Sequence, residues 1–232
     1  MKTMILAAGR GERMRPLTDQ TPKPLLTAGG KALIEHIIDA LVKAGLVEIV
    51  INHAYLGEQI PNKLGDGRYY GAKITYSDEG EQGLETAGGI AHALPLLGKL
   101  PFLVVNGDIW TDYPFEQLRH YSLSDTTDCH LVLTDNPVHH SQGDFTLQTT
   151  GQLSVQDSFR KTYTGIGLYK PRLFQTIPNN TRYPLKPVLL ESIKKGTAMA
   201  EYYPGNWSDI GTPARLLQLD QQLSDKYSNK AF

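Results

Sequence analysis

Three arginines, a lysine and two glycines crowd the stretch Ala7-Ala8-Gly9-Arg10-Gly11-Glu12-Arg13-Met14-Arg15 and the Pro22-Lys23-Pro24 that follows it. A short apolar run, Met4-Ile5-Leu6, empties into this loop. Glycines let backbone N–H groups approach an anion closely and cations neutralise it, so the loop suits a polyphosphate. It is neither of the two commonest phosphate loops. The pattern G-x-x-x-x-G-K-[ST] occurs nowhere, and a dinucleotide fingerprint needs a third small residue where Met14 stands. Two carboxylates complete the chemistry. Asp108 ends the apolar run Val104-Val105-Asn106-Gly107, and Asp209 lies far along the chain in Trp207-Ser208-Asp209-Ile210-Gly211-Thr212. Mg²⁺ takes hard oxygen ligands, usually one or two carboxylates plus substrate phosphates and waters, so these two aspartates are candidate metal ligands.

The order L-A-A-G-x-G-x-R-[ML]-x-P-L-T from Leu6 to Thr18, with Pro22-Lys23-Pro24 after it, resembles the signature of the sugar-1-phosphate nucleotidylyltransferases. The resemblance implies that Ala7, Gly9, Gly11 and Glu12 belong to a loop that wraps the triphosphate of an NTP. It also implies that Arg13 contacts the phosphates and that Lys23 stabilises charge during transfer, as the catalytic pair. Asp108 and Asp209 stand where that family holds its metal, giving Mg²⁺ as the expected cofactor. The segment Leu84-Glu85-Thr86-Ala87-Gly88-Gly89 stands where the family lines its nucleobase pocket, which places Glu85, Thr86 and Gly88 near the base and Asn106 at the substrate edge. Thr86 also reads as an ordinary helix cap, and the two roles are compatible because a helix N-terminus favours polar and anionic ligands.

Asp135-Asn136-Pro137 through His139-His140 to Gly143-Asp144-Phe145 resembles one subgroup, the N-acetylmuramate α-1-phosphate uridylyltransferases of bacterial cell-wall recycling, and Val50 to Gly57, Leu64 to Gly67 and Val105 to Tyr113 extend the likeness. This implies UTP and a sugar 1-phosphate as substrates, with Asp144 on the sugar. Two departures matter. The E-K-P segment whose lysine meets the sugar phosphate in glucose-1-phosphate thymidylyltransferases is absent, leaving Lys186, Arg160 or Lys161 for that role, and Gly83 is an extra residue beside the base-side loop. A zinc site built from His139, His140, Asp144 and the upstream His130 is not expected, since adjacent histidines point apart and no H-E-x-x-H spacing occurs. The readings weighed against the uridylyltransferase are another sugar 1-phosphate (glucose 1-phosphate with UTP or dTTP, mannose 1-phosphate with GTP), a sugar-nucleotide binding module without chemistry, and a dehydrogenase, which the missing third glycine disfavours.

The elements that must position these groups follow from periodicity. Strands are expected at Thr3–Ala8, Val47–Asn52, Ala72–Tyr76 and Phe102–Val105, with helices at Leu33–Ala44, Gly57–Leu64 and Glu85–Leu97. Strand and helix in alternation imply an α/β fold: a Rossmann-like, doubly wound, mostly parallel mixed sheet of the nucleotide-diphospho-sugar transferase type, with ligands beyond the carboxyl ends of the strands. Short strands at Cys129–Thr134, Phe145–Gln148, Gln152–Val155 and Gly165–Tyr169 read as a small antiparallel insertion at roughly 110–170. Leu185–Lys194 and Ala214–Leu223 return to helical spacing, and a frayed tail is expected from Ser224.

With 232 residues, one domain spanning 1–232 is expected, with no room for a second catalytic domain. A formal net charge of -1 argues against a nucleic-acid partner. The single cysteine, Cys129, excludes an internal disulfide and reads as core packing. No apolar run is long enough for a membrane span or a signal-peptide core, so no membrane partner and a cytoplasmic location are expected.

Overall fold

The computed structural model describes residues 1–155 and 159–228. In chain order its elements are β1 (Thr3–Leu6), β2 (Thr27–Ala28), β3 (Lys31–Ala32), α1 (Leu33–Lys43), β4 (Glu48–His53), α2 (Gln59–Leu64), β5 (Lys73–Asp78) and α3 (Glu85–Leu97). Then come β6 (Phe102–Asn106), β7 (Ile109–Thr111), α4 (Glu116–His120), β8 (Cys129–Thr134), β9 (Phe145–Leu147), β10 (Leu153–Ser154) and β11 (Arg160–Tyr169). The chain ends with α5 (Leu185–Lys194), β12 (Ala198–Tyr202), β13 (Trp207–Asp209) and α6 (Pro213–Ser228).

β5, β4, β1 and β6 lie side by side and parallel. β11 joins antiparallel to β6, β8 antiparallel to β11, and β12 parallel to β8, so β11 alone runs against this part of the sheet. The carboxyl ends of the others therefore share one edge. The pleat sends alternate residues to opposite faces. Ile5, Ile49, Ile51, Leu103 and Val105 pack with Ile34, Ile37, Ile38 and Leu41 of α1 on one side. Met4, Val50, Phe102 and Val104 pack with Ala87, Ile90, Ala93 and Leu97 of α3 and Leu189 of α5 on the other. Burial on both faces is why these strands read as continuous apolar runs. Gly45, at φ 74, supplies the left-handed turn that ends α1 and starts the approach to β4.

The mostly parallel mixed sheet agrees with the sequence reading, with several differences in detail. β8 and β11 join the central sheet instead of standing apart, because Cys129–Thr134 is buried at every position and needs cover on both faces. Only β9 and β10 form an added ribbon, pairing where β11 begins. β11 starts at Arg160, earlier than expected, so Arg160 and Lys161 lie on a strand. α6 continues through Ser228, so the tail expected to fray from Ser224 is helical as far as the described residues reach. β7, β12 and β13 escaped the pattern search: β7 and β13 have three residues each and show no period.

β7 and β13 nonetheless carry a constraint. They pair antiparallel, Asp209 opposite Ile109, and Ile210 N–H donates to the Asp108 carbonyl at 2.8 Å. Asp112 anchors the approach: its carboxylate accepts hydrogen bonds from the Tyr203 hydroxyl, from Asn206 N–H at 2.8 Å and from Asn206 Nδ2 at 2.6 Å. Partial burial alone would raise this carboxyl's pKa, but those donors outweigh it and hold it below the usual 3.8. A depressed folded-state pKa contributes stability that is complete above the unfolded-state value and is lost as pH falls through the folded one. Urea midpoints taken between about pH 6 and pH 3 should fall steeply below the unfolded-state value in the wild type and less steeply in Asp112→Asn. Superimposable pH profiles would remove Asp112 as an anchor.

Candidate active site

The glycine-rich loop is held from below. As β1 ends, Ala7 N–H donates to Asn52 Oδ1 at 2.8 Å, Asn52 Nδ2 donates to Glu79 Oε1 at 2.6 Å, and Glu79 Oε2 accepts Leu84 N–H at 2.6 Å. One chain of hydrogen bonds thus ties the ends of β1, β4 and β5 to the start of α3. Gly11, at φ +68, turns the loop; a Cβ there would lie 3.1 Å from Thr18 Cγ2 and 3.2 Å from Lys23 Cβ, so the turn is packed directly on both. Thr18 Oγ1 donates to the Gly11 carbonyl at 2.9 Å. Arg10 donates to the Thr18 carbonyl at 2.8 Å and lies over the Tyr55 ring, 3.6 Å from its centroid. Met14 is fully buried with Leu26, Leu33, Ile210, Leu219 and Leu223, which pins the loop to α6 and explains a large apolar residue at that position.

Lys23 opens a 3-10 turn, Lys23–Leu25, and is only 8% exposed. Its ammonium pairs with Asp108 Oδ2. A charge so buried needs an opposite charge, and Gly107 lets Asp108 provide it: Gly107 N–H donates to the Leu6 carbonyl, and a Cβ at Gly107 would come within 2.6 Å of that oxygen. Ala7, Gly9, Lys23, Glu85, Thr86, Asn106 and Asp108 line one cleft of about 490 Å³ beyond the carboxyl ends of the parallel strands. The volume is in the range of small-ligand sites. Asn106 reaches it beside a bulge in β11: the register shifts between Tyr163 and Gly167, and a Cβ on Gly165, at φ +80, would sit 2.5 Å from Asn106 Nδ2.

Gly11, Glu12, Arg13, Gly88, Asp144, Lys186 and Asp209, also singled out from the sequence, are not among the residues that line this cleft. Gly88 gives room to the strap 181–183: a Cβ there would be 2.2 Å from the Thr181 carbonyl, and Ala87 and Gly88 N–H both donate to the Tyr183 carbonyl at 3.0 Å. The third and fourth N–H groups of α3 are thus already engaged. Glu85, which opens α3, has φ 60, a conformation costly for a non-glycine residue, and its carboxylate faces Arg182 at 3.5 Å. Glu12 is exposed and pairs at 3.7 Å with Arg10 and Arg15. Arg13 lies toward Gly211, where a Cβ would be 3.3 Å from its Nη2. Asp144 accepts Tyr163 N–H at 2.9 Å through Oδ2, while Oδ1 faces His140 at 3.2 Å. Lys186 is exposed on α5 and does not line the cleft; Arg182, just before that helix, does. Lys161 pairs with Asp135 at 2.6 Å, which holds its pKa above the ordinary lysine value.

Asp209 is clasped separately, by His139 and Arg215. The β7–β13 ladder sets it next to Asp108 in the backbone, so two carboxylates, residue types that Mg²⁺ takes as ligands, are brought to neighbouring backbone positions. No group of three or more metal-binding side chains occurs among the described residues. Sequence reasoning missed Asn52, Tyr55, Glu79, Arg182 and Arg215. Asn52, Tyr55 and Glu79 are single residues at or just past the ends of β4 and β5, and Arg182 lies in the strap before α5, so only the fold marks them.

A family model described as Nucleotidyl transferase matches residues 2–226. The chain is 50% identical over 220 residues to N-acetylmuramate alpha-1-phosphate uridylyltransferase of Neisseria meningitidis serogroup B, covering 93% of this chain and 95% of that protein. It is 32% identical to the enzyme of the same name from Caulobacter vibrioides, covering 96% of each. Mannose-1-phosphate guanyltransferase beta-A of Xenopus laevis is 30% identical over 94% of this chain, which spans 63% of that protein. Among solved structures, one from Bacillus anthracis assigned as a glucose-1-phosphate thymidylyltransferase superposes with a TM-score of 0.85 at 20% identity, over 97% of this chain and 96% of that one. No helix among the described residues is long and apolar enough to cross a membrane.

The glycine pair of α3 is testable as packing. A Cβ on Gly89 would come within 2.2 Å of Glu79 Oε1 and 3.0 Å of Asn52 Nδ2, so Gly89→Ala must break the Asn52–Glu79 link. It should lower stability by about 1–3 kcal/mol, the usual range for overpacking, in urea denaturation. A midpoint equal to that of the wild type would show that the link is dispensable.

Proposed function

The chain belongs to the nucleotidyl transferase family, and from that premise we propose that it transfers UMP from UTP to N-acetylmuramic acid α-1-phosphate, giving UDP-N-acetylmuramic acid and pyrophosphate. The observation that carries this reading is 50% identity over nearly the full length of both chains to a protein of that name. The setting that follows is cell-wall recycling in the cytoplasm, by one domain whose sugar side is drawn from roughly 110–170.

In the reaction, a phosphate oxygen of the sugar 1-phosphate attacks the α-phosphorus of UTP in line. The bond from the α-phosphorus to the bridging oxygen breaks, and its electron pair leaves with pyrophosphate. No protein nucleophile is required; positioning and charge neutralisation supply most of the catalysis. Backbone N–H groups from Gly9 to Gly11, with Arg13, are assigned to the β and γ phosphates. Lys23 is assigned to the α-phosphate, where a substrate anion can share its charge with Asp108. Glu85 and Thr86 face the base side and Asn106 the substrate edge. Asp108 and Asp209 are assigned to Mg²⁺, which when bound offsets phosphate charge. Arg182 is the better placed cation for the sugar phosphate, since it lines the cleft and Lys186 does not. Asp144 is assigned to the sugar through Oδ1, once the exposed His140 side chain turns away.

Pyrophosphate release with Mg²⁺ and UTP should be fastest with N-acetylmuramic acid 1-phosphate when tested beside N-acetylglucosamine 1-phosphate and glucose 1-phosphate. Preference for another sugar would discard the recycling assignment and keep the transfer mechanism. Lys23→Ala, Asp108→Asn and Asp209→Asn should each lower kcat by about 10²-fold or more, the scale of one electrostatic stabiliser. Asp108→Asn also leaves the buried Lys23 ammonium without its counter-charge, so its melting temperature should fall, and its kcat is read at a temperature where circular dichroism shows the variant folded. Wild-type turnover in any of the three removes that residue from its assigned role.

A further inference from the structure

The clasp on Asp209 draws on three separate segments. His139 comes from a 3-10 turn, Val138–His140, in the loop that follows β8; Asp209 ends β13; and Arg215 lies in the first turn of α6. His139 Nε2 is 2.7 Å from Asp209 Oδ1 and Arg215 Nη1 is 2.6 Å from the same oxygen. Both contacts fall on Oδ1, and no hydrogen bond from a described residue reaches Oδ2. The two nitrogens stand 2.5 Å apart, crowded onto a single acceptor. Arg215 is itself held in place: its Nε is 3.4 Å from Thr212 Oγ1, and a Cβ on Gly211 would come within 2.4 Å of its Nη2. Gly211 is therefore the space the guanidinium fills. The arginine is well buried, its side chain 16% exposed, which favours a fixed geometry over a loose surface pair.

We propose that Arg215 and His139 are positioning residues for the transfer reaction: by holding Asp209 through Oδ1 they fix its rotamer and present Oδ2 to the divalent cation that accompanies the nucleotide. The inference rests on the assignment of Asp209 to that cation. A carboxylate at the end of a three-residue strand has several rotamers available, and neighbours that fix a metal-binding side chain are worth about 10–100-fold in metal affinity. His139 brings a second consequence. It belongs to the same loop as Asp144, so the carboxylate assigned to the metal and the loop assigned to the sugar are mechanically joined, and a shift in one alters the other.

The test is calorimetric titration of the full chain with UTP, with excess Mg²⁺ and again with Mg²⁺ chelated; the readout is the gain in UTP affinity that Mg²⁺ provides. In Arg215→Ala and in His139→Ala that gain should shrink about 10-fold or more, with Arg215→Lys recovering part of it. Gly211→Ala, which displaces the guanidinium without removing it, should behave like Arg215→Ala. In steady-state assays the loss should appear in the Mg²⁺ requirement more than in kcat. Circular dichroism melts establish that each variant is folded, and the exposed His139 gives a variant whose folding is not at stake. If Asp209→Asn reduces the Mg²⁺ gain while Arg215→Ala and His139→Ala retain it, positioning is overturned and Asp209 keeps its assignment. If Asp209→Asn itself retains the full gain, the assignment of Asp209 falls and the positioning role with it.

Discussion

A lysine ammonium almost wholly removed from water is the constraint around which this cleft is arranged. Lys23 is 8% exposed and has one carboxylate, that of Asp108, to balance it. Such a pair is expensive to assemble and worse to break, because either member alone would be a buried uncompensated charge. Much of the local backbone serves the meeting of these two groups. Pro22 and Pro24 flank Lys23 and stiffen its turn; Gly11 has no side chain where Lys23 packs; Gly107 lets the chain turn tightly against β1 so that Asp108 emerges at the sheet edge. On the assignment of Lys23 to the α-phosphate, a cation held this way is desolvated and aimed in advance, which is the preorganisation that electrostatic catalysis requires.

A second arrangement, in which amide and backbone donors surround one carboxylate, supports the opposite wall. Asn52 and Glu79 occupy the ends of adjacent parallel strands and spend their side chains on backbone N–H groups at Ala7 and Leu84, which sheet pairing leaves without partners. Gly89 opens the space they need, and Gly88 opens the space for the strap that ends in Arg182. The glycine pair of Leu84-Glu85-Thr86-Ala87-Gly88-Gly89 thus answers to backbone and side-chain packing on both sides of the helix. A base pocket at the same place requires no further glycine, only the cleft surface left in front of Glu85 and Thr86.

How much of this was legible in the sequence depended on whether the signal was local. β1, α1, β4, α3, β6, β8 and α5 announced themselves because each helix buries a periodic apolar face and each strand a continuous apolar run, and α3, β8 and α5 begin and end at the expected residues. Ala7, Gly9, Lys23, Glu85, Thr86, Asn106 and Asp108 reach one cleft because parallel topology sends all their strand ends to the same edge. Arg182, Arg215, Asn52 and Glu79 could not be found that way, since each owes its place to partners more than two dozen positions away or to a turn with no period. Gly88 shows a subtler limit: the motif marked it, but the contact that demands a missing Cβ comes from Thr181, a residue no local pattern connects to it. Asp144 was marked for the sugar, yet one of its oxygens is committed to Tyr163 N–H at the bulge that makes room for Asn106.

The division of labour between the two parts of the sheet explains why the fold alone leaves the sugar open while near relatives do not. The parallel strands β1, β4, β5 and β6 position the glycine loop, Lys23 and Asp108, the groups assigned above to the nucleotide and its metal. A structure at 20% identity superposes with a TM-score of 0.85 over 97% of this chain, so the backbone of both parts is kept while most side chains differ. The strands beyond β6 carry a different burden. β11 runs against its neighbours, so its amino end, with Arg160 and Lys161, comes to the same edge as the carboxyl ends of β6 and β8. That reversal puts the ribbon of β9 and β10, the loop carrying His139 and Asp144, and the Asn106 bulge at the same edge of the sheet, where side chains can differ without disturbing the parallel core. Selectivity for one acceptor can therefore change through a few loops while Lys23 and Asp108 keep their places, and identity of 50% over 93% of the chain bears on the acceptor in a way that a shared fold does not.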